Sequence, residues 1–238
     1  MGRSAFITSE SLHSFRLSDD HPFRPIRLAL TETLLDACGL FEPGERVAPE
    51  RLPPGALAHV HDQHYIDLVR DVSAGLRRED SYAHGLGTGD TPIFGGMHDA
   101  ILGVCDATCT ALTLVASGGA RRAMNLAGGL HHAHRDRASG FCVYNDLAVA
   151  IEAVSRRFGC RIACIDLDAH HGDGTQEIFF ERGDVLTVSL HESGRYLFPG
   201  TGHTFELGRG AGRGCSVNAP LEPFTEDASY LEVFDAVV

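Results

Sequence analysis

Short apolar runs alternate with amphipathic stretches along most of this chain. Ala5-Phe6-Ile7-Thr8 reads as a first strand, and Met124-Asn125-Leu126, Arg161 to Ile165 and Val185 to Leu190 as later ones. Between them the spacing turns helical. Pro25 to Cys38 has apolar residues at 26, 28, 30, 34 and 35, with Gly39 as a stop. His64 to Ser73 predicts a second helix closing near Gly75, and Met97 to Ser117 a longer one ended by Gly118-Gly119. Asp146 to Phe158 places Leu147, Ile151, Val154 and Phe158 on one face, with Asn145 as cap and Gly159 as stop. Strands alternating with helices predict a three-layer α/β/α fold with a mainly parallel sheet, whose sites form outside the carboxyl ends of the strands. Pro53-Pro54-Gly55 reads as a turn, and Gly200 to Gly214, with six glycines, as a surface loop. Thr225 is expected to cap a last helix through Tyr230, Leu231, Val233, Phe234 and Val237, which stops at Val238 as if interrupted.

Composition narrows the class. The chain has 238 residues, 43% hydrophobic and 22% charged, which is ordinary globular composition and suits a single domain over 1–238. A net charge of −12 without a Lys/Arg stripe argues against a nucleic-acid partner. It would suit basic partners such as lysine-rich segments, but a solubility charge is the plainer reading. The seven cysteines (38, 105, 109, 142, 160, 164, 215) form no C-x-x-C pair and read as reduced thiols, Cys105 and Cys109 as core residues of a helix. MGRSAFITSE holds no apolar signal region, and no uninterrupted apolar stretch approaches membrane-spanning length, so a cytoplasmic protein with no membrane partner is expected.

The chemistry concentrates in two stretches. In RIACIDLDAHHGDG (161–174), an extended chain would turn Asp166, Asp168 and His170 to one side and Ile165, Leu167 and Ala169 to the other. Carboxylates that close repel unless a cation or hydrogen-bond donors compensate them. Asp168 and His170, nearest the loop, are the better zinc ligands. Asp166, deeper in, suits a monovalent cation or the orientation of a histidine. The plain alternative is a polar turn leaving the strand.

The second stretch is NLAGGLHHAHRDRASGFCVYND (125–146), where His131 and His132 follow a glycine pair. They could form a second metal site, be polar loop residues, or act as general bases oriented by Asp166 and Asp173. A metal-activated water with a positioned histidine can hydrolyse an amide or ester. Cys142 as a nucleophile is the weaker idea, because it leaves the aspartates unexplained.

GGLHHAHRDRASGFCVYND and IDLDAHHGDG together closely resemble the histone deacetylase superfamily. HPFRPIRL, HDQHYIDLV, LGTGDTPIF and VSLHESGRYLFPGTG extend the likeness to its bacterial acetoin utilization deacetylase branch. The resemblance implies the arginase/deacetylase fold and a zinc-dependent deacetylase acting on acetyl-lysine in proteins, or on small acetylated amines such as acetylpolyamines. It implies Zn2+, or Fe2+ in the cell, on Asp168 and His170, with His132 as general base and acid bonded to Asp173. His131, with Asp166, would be its electrostatic partner. Structural K+ is implied near Asp166, with Ser189 and the carbonyls of Asp168, His170 and Leu190. Gly140, Phe141 and Phe198 would line the acyl-lysine channel, Asp90 would hold substrate backbone at the rim, and Arg27 would line an internal acetate exit. The family takes a further aspartate ligand and a carbonyl-polarising tyrosine from sequence after the closing helix. No counterpart precedes Val238, so this chain is expected to be truncated and its own activity impaired, leaving a fragment that binds acyl-lysine or a partner as the other reading. A binuclear manganese ureohydrolase is disfavoured by the spacing.

Overall fold

The computed structural model describes residues 4–14, 17 and 21–238. The chain divides into two compact units, residues 1–158 and 159–238. In the first, β1 (Ser4–Ile7) lies between β2 (Arg46–Val47) and β3 (Arg122–Met124), all parallel, with Phe6 opposite both Arg46 and Met124. Among the described residues, four α-helices complete it: α1 (Ile26–Ala37), α2 (Gln63–Ser73), α3 (Met97–Ala116) and α4 (Asp146–Phe158).

Helical periodicity explains which faces are covered. α2 buries Tyr65, Leu68, Val69 and Val72, the one-face spacing of an amphipathic helix, and α4 buries Ala148, Ile151 and Val154. α3 packs against α4 and β1 and buries Met97, Ile101, Val104 and Cys105. Among the described residues it is the one helix long and apolar enough to span a membrane by length and composition. Its buried Asp106 accepts a hydrogen bond from the Leu52 amide at 2.8 Å, as suits a core helix.

The expected apolar stripe of α1 is largely exposed: Leu28 is buried, but Leu30 and Leu34 stand 61% and 63% in solvent. The glycines expected to stop the four helices (Gly39, Gly75, Gly118, Gly159) all have positive φ, between 63° and 82°. Asn145 caps α4 as expected, its Oδ1 accepting from the Ala148 amide at 2.9 Å.

In the second unit, β5 (Val185–Glu192) runs parallel between β4 (Ile162–Asp166) and β6 (Ser216–Leu221). α5 (Asp173–Phe179) follows the Asp/His stretch, and α6 (Asp227–Val237) closes the chain. Sequence periodicity missed β2, β6 and α5, each too short or too polar to show a period. The third strand lies at 122–124, earlier than expected, because Asn125 turns away to bond its own loop through Ala127. Thr225 does not cap α6; its hydroxyl donates to the Glu222 carbonyl, and Glu226 takes the cap position. All seven cysteines are free thiols.

The burial pattern sets a stability contrast. Leu68→Ala, at a fully buried α2 position, should cost about 2–5 kcal/mol. Leu34→Ala, on the exposed α1 face, should stay within about 0.5 kcal/mol. Urea unfolding of the two variants checks both.

Candidate active site

The tandem histidines sit on a loop built backwards from the start of α4. The Asp146 carboxylate, fully buried, accepts the amides of Gly129 (3.1 Å) and Leu130 (2.7 Å) and the Thr108 hydroxyl (2.5 Å). Burial pushes the Asp146 carboxyl above the ordinary carboxylate range, and these donors pull it back. Gly128 lies so close that a Cβ would come within 2.3 Å of Asp146 Oδ2. Next to it, Asn145 Nδ2 donates to the carbonyls of His131 (3.2 Å) and Ala133 (3.1 Å).

His61 completes the scaffold. Its Nδ1 donates to the His134 carbonyl at 2.9 Å, and its Nε2 accepts the Asn145 amide at 3.0 Å. Burial lowers its pKa to about 4, so the ring is neutral with both nitrogens engaged. Held from these sides, His131 and His132 are buried with ring centroids 4.1 Å apart and planes tilted by 53°.

The loop then turns at Ser139–Cys142, where Ser139 and Cys142 exchange both backbone hydrogen bonds. The two central residues, Gly140 and Phe141, have φ of 50° and 73°, the signature of a type I′ turn. A bulky residue in that region costs about 1–3 kcal/mol and is kept only where its surroundings hold it. Here the Phe141 ring packs edge-on against buried His21 at 4.6 Å. His21 accepts the Phe23 amide at Nδ1, so its Nε2 donates to the Asp90 carbonyl, and Asp90 itself is exposed. Cys142 is buried and its thiol donates to the Gly140 carbonyl, a turn brace rather than an activated nucleophile. Arg27 stacks over Phe23 at 4.3 Å, on the outside of α1.

In the second unit the expectation of an extended 161–170 is corrected. β4 ends at Asp166, and the chain bends, each aspartate folding back on the next amide but one. Asp166 Oδ1 accepts the Asp168 amide (3.1 Å), and Asp168 Oδ1 accepts the His170 amide (2.8 Å). Successive Asx turns, not strand alternation, bring the donors together. Asp168 Oδ1 and His170 Nδ1 are 2.9 Å apart and half exposed. Oxygen and imidazole nitrogen at that bite fit a divalent cation bonded at about 2.0–2.2 Å, and supply two of the three or four donors zinc takes. The Phe198 ring, 47% exposed, lies 6.3 Å from that of His170. Asp173 opens α5, where a carboxylate suits the helix N-terminus.

Asp166 pairs in register with Ser189 on β5, and both line a cavity of about 10 Å³ together with His171 and Asn218. His191 Nε2 donates to the Gly202 carbonyl, so its Nδ1 accepts the Ser189 hydroxyl, whose oxygen keeps a lone pair. His171 Nε2 and Asn218 Oδ1 are buried in the same lining without a protein partner. A water or a monovalent cation fits that space and its donors. Leu190, paired with Ala219 on β6, is buried beside it in sequence.

A histone deacetylase domain model matches residues 21–238. The chain belongs to the histone deacetylase family. It is 48% identical over 235 residues to the acetoin utilization protein AcuC of Bacillus subtilis (strain 168), covering 98% of this chain and 61% of that protein. To the AcuC protein of Staphylococcus aureus (strain MRSA252) it is 40% identical, again covering 61% of the relative. The chain therefore spans less than two thirds of these relatives. Its fold matches the crystal structure of an HDAC homolog from Aquifex aeolicus with a TM-score of 0.90 at 30% identity, over 98% of this chain and 63% of that one. An HDAC homolog complexed with SAHA matches equally well. The arginase/deacetylase fold expected from the motifs is thus the observed one, with parallel sheets and flanking helices.

Sequence reasoning found the histidine pair and the Asp/His stretch but not their supports. His61 and His21 lie in HDQHY and HPFRP without any local signal of what they hold, and Asp146 read only as the start of a helix. Gly128→Ala should force Asp146 or the loop to move and cost several kcal/mol, about 1–3 of them from unpaired buried groups. Thermal melting measures the loss.

The neutral buried ring of His61 also predicts acid lability. Its folded pKa of about 4 lies below the ordinary 6.5. Above pH 6.5 its contribution is fully present; as pH falls towards 4 the unfolded chain takes up the proton first, and that contribution is lost. A His61→Asn variant should show a flatter stability-against-pH curve in that window, measured by urea midpoints.

Proposed function

We propose that the chain carries the metal-dependent deacetylase chemistry of its family, hydrolysing the amide of acetyl-lysine in proteins to acetate and free lysine. One observation carries the reading: Asp168 Oδ1 and His170 Nδ1 converge at 2.9 Å on a half-exposed turn. A divalent cation bound there, zinc or iron, would polarise the acetyl carbonyl and acidify a water. His132 takes the proton as the water oxygen attacks the carbonyl carbon, and returns it to the lysine nitrogen as the C–N bond breaks. By the family resemblance, Asp173 would orient His132, and Asp166 would pair with His131 to set the charge around it. Phe141 and Phe198 flank the acyl chain, Gly140 lets the Phe141 turn form, and Asp90 receives the substrate backbone.

The supports are physical. Both histidines are buried on a loop whose carbonyls and amides are fixed by Asn145 and Asp146, so an imidazole can hold its orientation through proton transfer. Potassium at Asp166 and Ser189 would brace the turn that presents Asp168 and His170. Cytoplasmic location and a single domain over 1–238 belong to the same proposal.

Purified protein loaded with zinc should release acetate from an acetyl-lysine peptide, slowly, because Asp168 and His170 supply only two of the donors zinc takes. His132→Ala should lower that rate by about 100-fold or more. An undiminished rate in the variant overturns the role of His132, and faster turnover of acetylpolyamines than of peptides would reassign the substrate to small amines.

A further inference from the structure

We propose a second metal site in the first unit, a surface zinc clip formed by His64, Asp80 and His84. Among the described residues, these three form a group whose ligand atoms all lie within 4.8 Å of one another. His64 is the second residue of α2 and points a 62% exposed ring at Asp80, Nε2 to Oδ2 at 3.0 Å. Asp80 and His84 come from one turn of the following loop, where the His84 amide bonds back to the Asp80 carbonyl, so both side chains leave on the same side. The rings of His64 and His84 stand 5.5 Å apart.

The turn is prebuilt rather than adaptable. His84 is fixed twice, its carbonyl accepting the Ala138 amide and its Nδ1 facing the Asp136 carbonyl. A carbonyl can only accept, so His84 carries its proton on Nδ1 and keeps the lone pair on Nε2, the arrangement seen in metal-ligating histidines. Gly85 allows the close approach: its φ is +74°, and a Cβ would strike the Ala138 carbonyl at 2.1 Å.

Asp80 is held by a fork. The Arg78 guanidinium bonds both its oxygens. A carboxylate offers about four lone-pair directions, so this ion pair still leaves room for a cation. Two imidazoles and one carboxylate with an open fourth position are a zinc-type donor set. Ligand atoms around tetrahedral zinc stand about 3.3 Å apart, and rotation of the exposed His64 side chain closes the difference. The clip would tie the start of α2 to the loop ending at Gly85 and, through Asp136, to the loop carrying His131 and His132.

Zinc bound per chain, measured by equilibrium dialysis against zinc chloride, tests this independently of deacetylation. In the Asp168→Ala background, where the deacetylase site is disabled, the protein should still hold one zinc. The further change His64→Ala, at an exposed position, should remove it without lowering the metal-free melting point; His84→Ala should remove it too, with some loss of stability because the Asp136 carbonyl loses its donor. Cobalt in place of zinc should give a tetrahedral visible spectrum that both variants lose. Equal zinc and cobalt binding with and without His64 and His84, or no zinc in the Asp168→Ala protein, overturns the proposal.

Discussion

The histidine loop of the first unit hangs on one buried carboxylate. Asp146 has no solvent to share its charge, and burying it is costly unless hydrogen bonds replace water. The Gly129 and Leu130 amides and the Thr108 hydroxyl supply those bonds. They can do so only because the chain at Gly128 presses against the carboxylate with no side chain between. The same contact fixes where the loop leaves the sheet side and therefore where His131 and His132 begin. Asn145, one residue earlier, caps α4 with one end of its amide and holds the histidine loop with the other. The start of a helix is thus the frame of the loop.

The Asp/His stretch of the second unit is built on the opposite principle. Nothing distant is needed to bring Asp168 to His170; two successive Asx turns do it within five residues. This difference decides what was legible in the sequence. The Asp/His stretch could be read because its geometry is local, although the reading chose strand alternation where side-chain-to-backbone bonds prevail. The histidine pair could be seen but not its frame, since Thr108, His61 and Asp146 lie 15 or more residues from the groups they hold. The strands at 46–47 and 216–221 escaped for a related reason: they are formed by pairing partners, not by their own periodicity, while the seven-residue α5 is too short to show a period. The helices with a strong apolar stripe, α2 and α4, were legible nearly to the residue. α1 was legible as a helix, but its stripe faces solvent, because periodicity reports an amphipathic face and not what covers it.

Counting the commitments of each imidazole nitrogen separates structural histidines from chemical ones. His61 has both nitrogens bonded to the backbone, and His191 spends its own on Ser189 and Gly202. Burial keeps both rings neutral. Such a ring is a strut: taking up a proton or binding a metal would break a bond that the fold uses. His170 differs, since its Nδ1 faces a carboxylate oxygen on an exposed turn rather than a backbone group in the core. His84 differs in another way, one nitrogen anchored to a carbonyl and the other left with its lone pair. In a chain with 14 histidines, the residue type alone says little about function. The bonding of the second nitrogen says more, and it points to the Asp168–His170 turn and to the His64–His84 pair as places where a cation can bind without unmaking the structure around it.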